Sequence, residues 1–238
     1  MSSSYRLGKL PAVRPFGLRD LSVYASGPLP APPRAVAPPA ARYPIDGNDQ
    51  VGDCTIAGVA HLIAAWDAEV KEADPVPTVG AVVSEYFRLS GGQDTGLNEA
   101  SVLQTWRSGG LFGRKIAAYA PVDHHRLLAI HQAVAFYGGC YLGIQCPQSA
   151  QEQFAAGEPW TVVDDSPIEG GHCIVALGYT PAAVLCATWG GIAEVTYPFL
   201  DAYLDEAWAV IPSQFLEAGH GPRIDLASLQ EDLDRLAA

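Results

Sequence analysis

The stretch from Asn48 to His61, NDQVGDCTIAGVAH, constrains the chain more than any other, because it reads as a loop that turns at Gly52 and runs straight into a helix. Ile56, Val59, Ala60, Leu62, Ile63 and Trp66 recur at three- and four-residue steps, which predicts a helix from Thr55 to about Lys71 buried on much of its surface, the central helix of a lobe. Cys54 falls at or just inside the first turn. There the unpaired backbone N–H groups and the positive end of the helix dipole favour thiolate, the form of cysteine that attacks carbonyls. Asp53 is the expected N-cap, and its charge works against the thiolate. His61 lies two turns further along, about 10 Å up the axis, too far to act as the base of Cys54, and is expected to pack or cap.

A base is offered more than a hundred residues later, in Glu169-Gly170-Gly171-His172-Cys173-Ile174-Val175-Ala176-Leu177-Gly178-Tyr179. The glycines allow close backbone approach, and His172 opens an apolar, β-branched run expected to be a buried strand whose mouth faces a cleft. A second apolar run, Ala183 to Cys186, leads into Ala187-Thr188-Trp189-Gly190-Gly191.

In order and spacing these three segments resemble the papain-like cysteine peptidases. That family pairs a Q-x-x-x-G-x-C helix start with a distant glycine-preceded histidine strand and an N-S-W-G turn. Gly52-Asp53-Cys54 matches the nucleophile segment, Gly171-His172 the base, and Thr188-Trp189-Gly190 the end of the turn. The resemblance spans roughly residues 43–212. It is also similar to a loose group of bacterial and phage-borne proteins carrying N-D-x-x-G-D-C and G-G-H-C. It implies an α+β, two-lobe fold, a helical lobe packed on a mainly antiparallel β lobe, with the site between them. It further implies a hydrolase that cleaves a peptide or amide bond through Cys54 and His172. Six residues before Cys54, where the family has its oxyanion glutamine, this chain has Asn48, with Gln50 two residues nearer. The family's orienting asparagine aligns with Ala187; Thr188, or Asp164 or Asp165 from a neighbouring loop, could accept from the imidazole instead. Transglutaminase-like acyl transfer and peptidoglycan amidase chemistry share the layout. The alternative is a weak or inactive papain-like scaffold that binds, or builds, an assembly such as a phage particle.

With 238 residues, 49% of them apolar, the chain can bury one large core. Its net charge of −12 argues against nucleic acid as partner and favours a neutral or basic peptide substrate. No run is long enough to span a bilayer and the first residues lack the apolar core of a secretory signal, so no membrane partner and a cytoplasmic location are expected, or a virion if the chain is phage-derived. Of the five cysteines, Cys140, Cys146, Cys173 and Cys186 read as small buried hydrophobes with reduced thiols, and no metal or other cofactor is called for. His124, His125 and His131 lack the companions of a metal site.

Residues 1–45 hold nine of the 19 prolines and six of the 14 basic residues against one acid, Asp20. An extended arm of charge +5 is expected to lie on its own acidic body; a docking tail for another protein and a cleft-blocking segment are the alternatives. Residues 46–212 form the expected papain-like domain, with a helical lobe over 46–112 and a β-rich lobe over 113–212. Helices are predicted over Thr78–Leu89, Leu97–Arg107 and His124–Tyr137, and strands over Arg114–Ala120, Gly139–Gln145, His172–Tyr179, Ala183–Thr188, Ala193–Tyr197 and Ala207–Ile211, with a short helix over Pro198–Leu204. The tail, 213–238, carries a helix over Asp225–Leu236 whose leucine face docks on the body or on a partner. Trp106, Trp160 and Trp189 are candidate cleft walls, Trp189 more readily as a packing residue that shields the base.

Overall fold

The computed structural model describes residues 5–70, 76–213 and 224–237. Helix α1 spans Cys54–Val70, and every residue from Cys54 to Asp67 is buried. It is therefore enclosed on all sides, and its position fixes the rest. The expected helix end near Lys71 and the stop at Pro75 lie outside the described residues. Helices α2 (Val79–Leu89) and α3 (Glu99–Ser108) pack against α1, and each begins at a side-chain cap: Thr78 accepts from the Ala81 N–H and Asn98 from the Ser101 N–H.

The second half of the chain builds one antiparallel sheet. Its strands are β1 (Ile116–Pro121), β2 (Cys140–Pro147), β3 (Ile168–Tyr179), β4 (Ala183–Thr188), β5 (Gly191–Thr196) and β6 (Leu204–Pro212), in the order β1-β6-β2-β3-β4-β5. β2 and β6 are buried along nearly their whole length, and β3 from His172 to Tyr179, and these stretches read as continuous apolar runs for that reason. Helix α4 (Leu127–Tyr137) packs across β6 and β3, and α6 (Tyr197–Tyr203) links β5 to β6. The architecture is an α+β fold, as its sequence implies.

Several elements differ from the sequence expectation; two strand or helix starts and one further helix have an identifiable cause. β3 begins at Ile168, not at His172, because Gly170 and Gly171 still pair with Cys146 and Gln145. α4 starts at Leu127, since Asp123 holds the two histidines in a turn through its bonds to the His125 and Arg126 N–H groups. Helix α5 (Gln148–Ala156) was not foreseen: it carries no apolar stripe, and is marked only by Pro147 before it and the left-handed Gly157 after it.

The arm lies on its own body. Val36 exchanges two backbone hydrogen bonds with Tyr179, Leu18, Leu21 and Tyr24 are buried, and the Tyr24 hydroxyl and Arg19 both bond Asp232. Asp232 belongs to the C-terminal helix α7 (Leu226–Ala237), whose Leu229 and Leu233 are fully buried beside β1. That helix docks on the body. No described helix is long and apolar enough to cross a membrane.

The approach of α1 to the sheet depends on Gly58. A Cβ there would meet Tyr141 Cε2 at 2.7 Å and Cys173 Sγ at 3.1 Å. Tyr141 cannot yield, because it is fully buried and its hydroxyl donates to the Thr55 carbonyl. A Gly58→Val substitution is expected to destabilise the fold by about 1–3 kcal/mol through overpacking, read as a lowered urea midpoint with unchanged slope.

Candidate active site

Cys54 is the first residue of α1, 1% exposed, at the helix end whose N–H groups have no intrahelical acceptors. Burial pushes its thiol up to about 12; the Cys173 and Gly8 backbone amides beside the sulfur pull the other way, and the Asp53 and Glu99 charges add to the rise. The helix start therefore does not by itself produce a thiolate. Asp53 does not cap α1 through its side chain as expected. Its carboxylate turns back to accept from the Gly47 N–H and the Asn48 amide, while its backbone carbonyl takes the Ile56 and Ala57 N–H groups.

His172 lies on β3, next to the residue whose amide faces Cys54. Its Nε2 is 2.7 Å from Thr188 Oγ1 at the end of β4, and its ring stacks on Trp189 with centroids 4.5 Å apart. Nδ1 is buried with no hydrogen-bond partner among the described residues. In the tautomer whose Nε2–H donates to Thr188, Nδ1 holds a free lone pair. Burial, with a smaller contribution from His61, lowers the His172 pKa to about 3, so both ring and thiol are neutral in this arrangement.

The other candidates are placed as follows. Asn48 is buried, with one amide N–H committed to Asp53, and its carbonyl accepts from the Arg6 N–H. Gln50 is exposed, and so are Asp164 and Asp165 in the turn before β3. Ala187 pairs with Val175 in the sheet. Trp160 and Trp189 pack together beside the base, whereas Trp106 stacks on Trp66 in the helical core and lines no cleft. His61 is buried, its Nε2 2.9 Å from the Pro44 carbonyl. Among the described residues no group of histidine, cysteine and carboxylate could hold a metal ion.

What sequence reasoning missed is the path of the arm, which the alternative of a cleft-blocking segment came nearest to. Residues 7–10 run over Cys54. The Lys9 N–H donates to the Gly171 carbonyl, the Leu97 N–H to the Gly8 carbonyl, the Leu10 N–H to the Leu97 carbonyl and the Arg6 N–H to the Asn48 carbonyl. The fit leaves no room for a side chain at Gly8, where a Cβ would fall 1.7 Å from the Gly52 carbonyl oxygen. Tyr5 completes the cover by stacking on Trp189 at 4.4 Å. The walls of this track are tied together by Asp94, which accepts from the Gly52 N–H and the Tyr86 hydroxyl, while that hydroxyl accepts from the Gly96 N–H.

The fold has solved counterparts. Xylellain, a cysteine protease from Xylella fastidiosa, superposes with a TM-score of 0.69 at 14% identity, over 89% of this chain and 98% of that one. The cysteine protease and lectin-like domains of Cwp84, a surface-layer-associated protein of Clostridium difficile, give 0.61 at 11% identity, over 88% of this chain and 56% of that one. ProCathepsin B from Trypanosoma congolense gives 0.57 at 12% identity, over 87% of each. No family model and no curated protein matches the chain by sequence. These likenesses establish a papain-like fold.

The loop before Cys54 holds a second buried acid. Asp46 sits at φ 54°, and among the described residues neither of its carboxyl oxygens has a hydrogen-bond partner. Burial, and then the charge of Asp53, raise its pKa to about 7. His61, 3.6 Å away, is itself held neutral by burial, at about 4, so the contact is no ion pair at neutral pH. A carboxyl whose folded pKa exceeds its unfolded value stabilises the fold below the unfolded pKa, and that stability is lost as pH rises through the folded one. Asp46→Asn, a residue that tolerates this backbone conformation, is therefore expected to match the parent near pH 4 and to exceed its stability by about 1–2 kcal/mol above pH 7, after allowance for partial screening. Denaturant titrations of both proteins across that range check it.

Proposed function

We infer that the chain is a papain-like thiol hydrolase acting on a peptide or amide bond, with Cys54 as nucleophile and His172 as general base and acid. The observation that supports this reading is that β3, the strand carrying His172, passes beside a cysteine at a helix N-terminus. There the Cys173 amide faces the sulfur, Thr188 takes one imidazole nitrogen and the other is left unpartnered.

The chemistry proceeds once the arm withdraws. Water returning to the cleft removes the main cause of both pKa shifts, so that the thiol can pass its proton to His172 Nδ1 and the resulting ion pair forms. The thiolate attacks the carbonyl carbon and the C–N bond breaks as His172 protonates the leaving amine; a water, deprotonated by the same ring, then releases the acyl group. Thr188 fixes the ring by accepting from Nε2–H, and Trp189 shields that bond from water. The Cys54 N–H and the remaining N–H of the Asn48 amide are the proposed donors to the oxyanion; Gln50 would reach it only if its loop turned inward. This assignment treats residues 46–212 as the catalytic domain and residues 1–45 as its cover.

A second reading, a papain-like scaffold that binds without cleaving, is favoured by the same thiol, which burial holds at about 12 while the arm is seated. Alkylation separates the two. Iodoacetamide should modify Cys54 slowly in the parent from mildly acidic to alkaline pH, and rapidly near neutral pH in Gly8→Val, where the added side chain unseats the arm. The gain should vanish in Gly8→Val with His172→Ala. Peptide turnover by the Gly8→Val protein should be lost with Cys54→Ala and fall by about 10²–10⁴ with His172→Ala. A Cys54 that stays unreactive with the arm unseated, together with no Cys54-dependent turnover, would establish the scaffold reading instead.

A further inference from the structure

The side chain of Lys9 enters the body beside the nucleophile and is wholly enclosed there. Its Nζ lies 2.9 Å from Asp205 Oδ1, 3.0 Å from Asp205 Oδ2, 3.0 Å from Glu206 Oε1 and 3.3 Å from the Leu10 carbonyl. A third acid, Glu99, is fully buried at the start of α3; among the described residues neither of its oxygens has a nitrogen or oxygen partner, its carboxyl meets the Cys173 thiol, and Lys9 is the cation whose charge it feels. One ammonium thus faces three carboxylates.

Two features make this a pocket of the body. The carboxylates are oriented from behind: Gln145 Nε2 donates to Asp205 at 2.5 Å and Trp208 Nε1 to Glu206 at 3.0 Å. The slot itself exists because β2 carries Gly143, where a Cβ would stand 2.0 Å from Lys9 Cε. Gly143 pairs with Cys173 on one side and Glu206 on the other, so the slot opens one strand position from the amide that faces Cys54.

We propose that this acidic slot is the specificity pocket of the site, built to take the lysine or arginine side chain of a bound peptide, and that Lys9 is its internal occupant. A single carboxylate would suffice to anchor an arm. Gathering three, two of them buried at the desolvation cost that raises the pKa values of Glu99 and Glu206, is explained by an exchangeable cation that must be recognised each time. The two oriented carboxylates, Asp205 and Glu206, also suit a guanidinium, which can take two at once. The main-chain bonds around Lys9 carry no sequence information, so selectivity in this part of the cleft resides in the slot. As a cleavage preference the inference rests on the hydrolase reading; as a binding preference it does not.

The test clears the slot in two ways in the full chain, by Lys9→Ala and by Gly8→Val, which leaves every charge in place, with circular dichroism to verify that each is folded. The probes are fluorescein-labelled peptides copying residues 5–11, with lysine, arginine, norleucine or glutamate at the position of Lys9, titrated by fluorescence anisotropy. Lysine and arginine peptides should bind at least about tenfold more tightly than norleucine, glutamate more weakly still, and the preference should collapse when Glu206→Gln and Asp205→Asn are added. Equal affinity for lysine and norleucine, no binding to either variant, or a preference that survives loss of the acids would each overturn the proposal. The same proteins are then assayed for Cys54-dependent cleavage of the lysine and norleucine peptides. Preferential binding without cleavage leaves the pocket standing and removes the hydrolase; cleavage without preference does the reverse.

Discussion

The contact on which the molecule depends is the one between helix α1 and strand β3. α1 is buried around its whole circumference, so it cannot shift or rotate without opening the core, and Gly58 lets its axis come within side-chain-free distance of Tyr141 and Cys173. The Tyr141 hydroxyl, bonded to the Thr55 carbonyl, fixes the helix start along its axis. Cys54 is consequently placed by packing, and His172 is placed by sheet register one residue from Cys173. Cys54 and His172 come from halves of the chain more than a hundred residues apart, and the relation between them is set by a packed helix on a buried sheet.

The electrostatics of a site held so rigidly follow from who occupies it. With residues 7–10 seated, water is excluded from both groups, and desolvation outweighs the helix dipole and the neighbouring amides. The Cys54 thiol and the His172 imidazole are each favoured in the neutral form under those conditions. The same geometry opened to water favours charge separation, because the positive helix end, the Cys173 amide and the polar groups of the loop then act on a hydrated sulfur. Tyr5 of the arm is linked to the imidazole through Trp189, on which both rings stack.

The sequence made legible those parts of the site that sit in local patterns. Cys54 stood out because a cysteine followed by an apolar helical period has few readings, and His172 and Trp189 because glycine-flanked motifs interrupt β-branched runs. Strand and helix identities followed from the same periods, with ends displaced where a side chain, such as Asp123 or Asn98, rather than hydropathy, set the boundary. Lys9 and its acids left no local trace. Lys9 and Asp205 are 196 positions apart, in an arm of ordinary polar composition and in a strand whose acidic pair reads like a solvated turn. Glu99 begins a helix, where an acid is unremarked because it suits the dipole, and only the fold reveals that it is buried. The charge difference between arm and body did point to their association, although most of the arm's basic residues take no part: Lys9 and Arg19 reach acids of the body, while Arg14 pairs within the arm.

That last asymmetry bears on what else could lie in the cleft. The arm is held over Cys54 by backbone hydrogen bonds to Asn48, Leu97 and Gly171, by one aromatic stack and by one buried ammonium. Backbone bonds of this kind are available to any extended peptide, and they fix its path without regard to sequence. Gly8 meets a steric demand that only glycine satisfies, so a bound peptide with any other residue there must ride higher over Gly52 or shift along the track. The contact that reads charge is the ammonium among Glu99, Asp205 and Glu206. A competitor displaces the arm at least cost if it restores that contact, because any other peptide would leave three carboxylates facing one another in a low-dielectric slot.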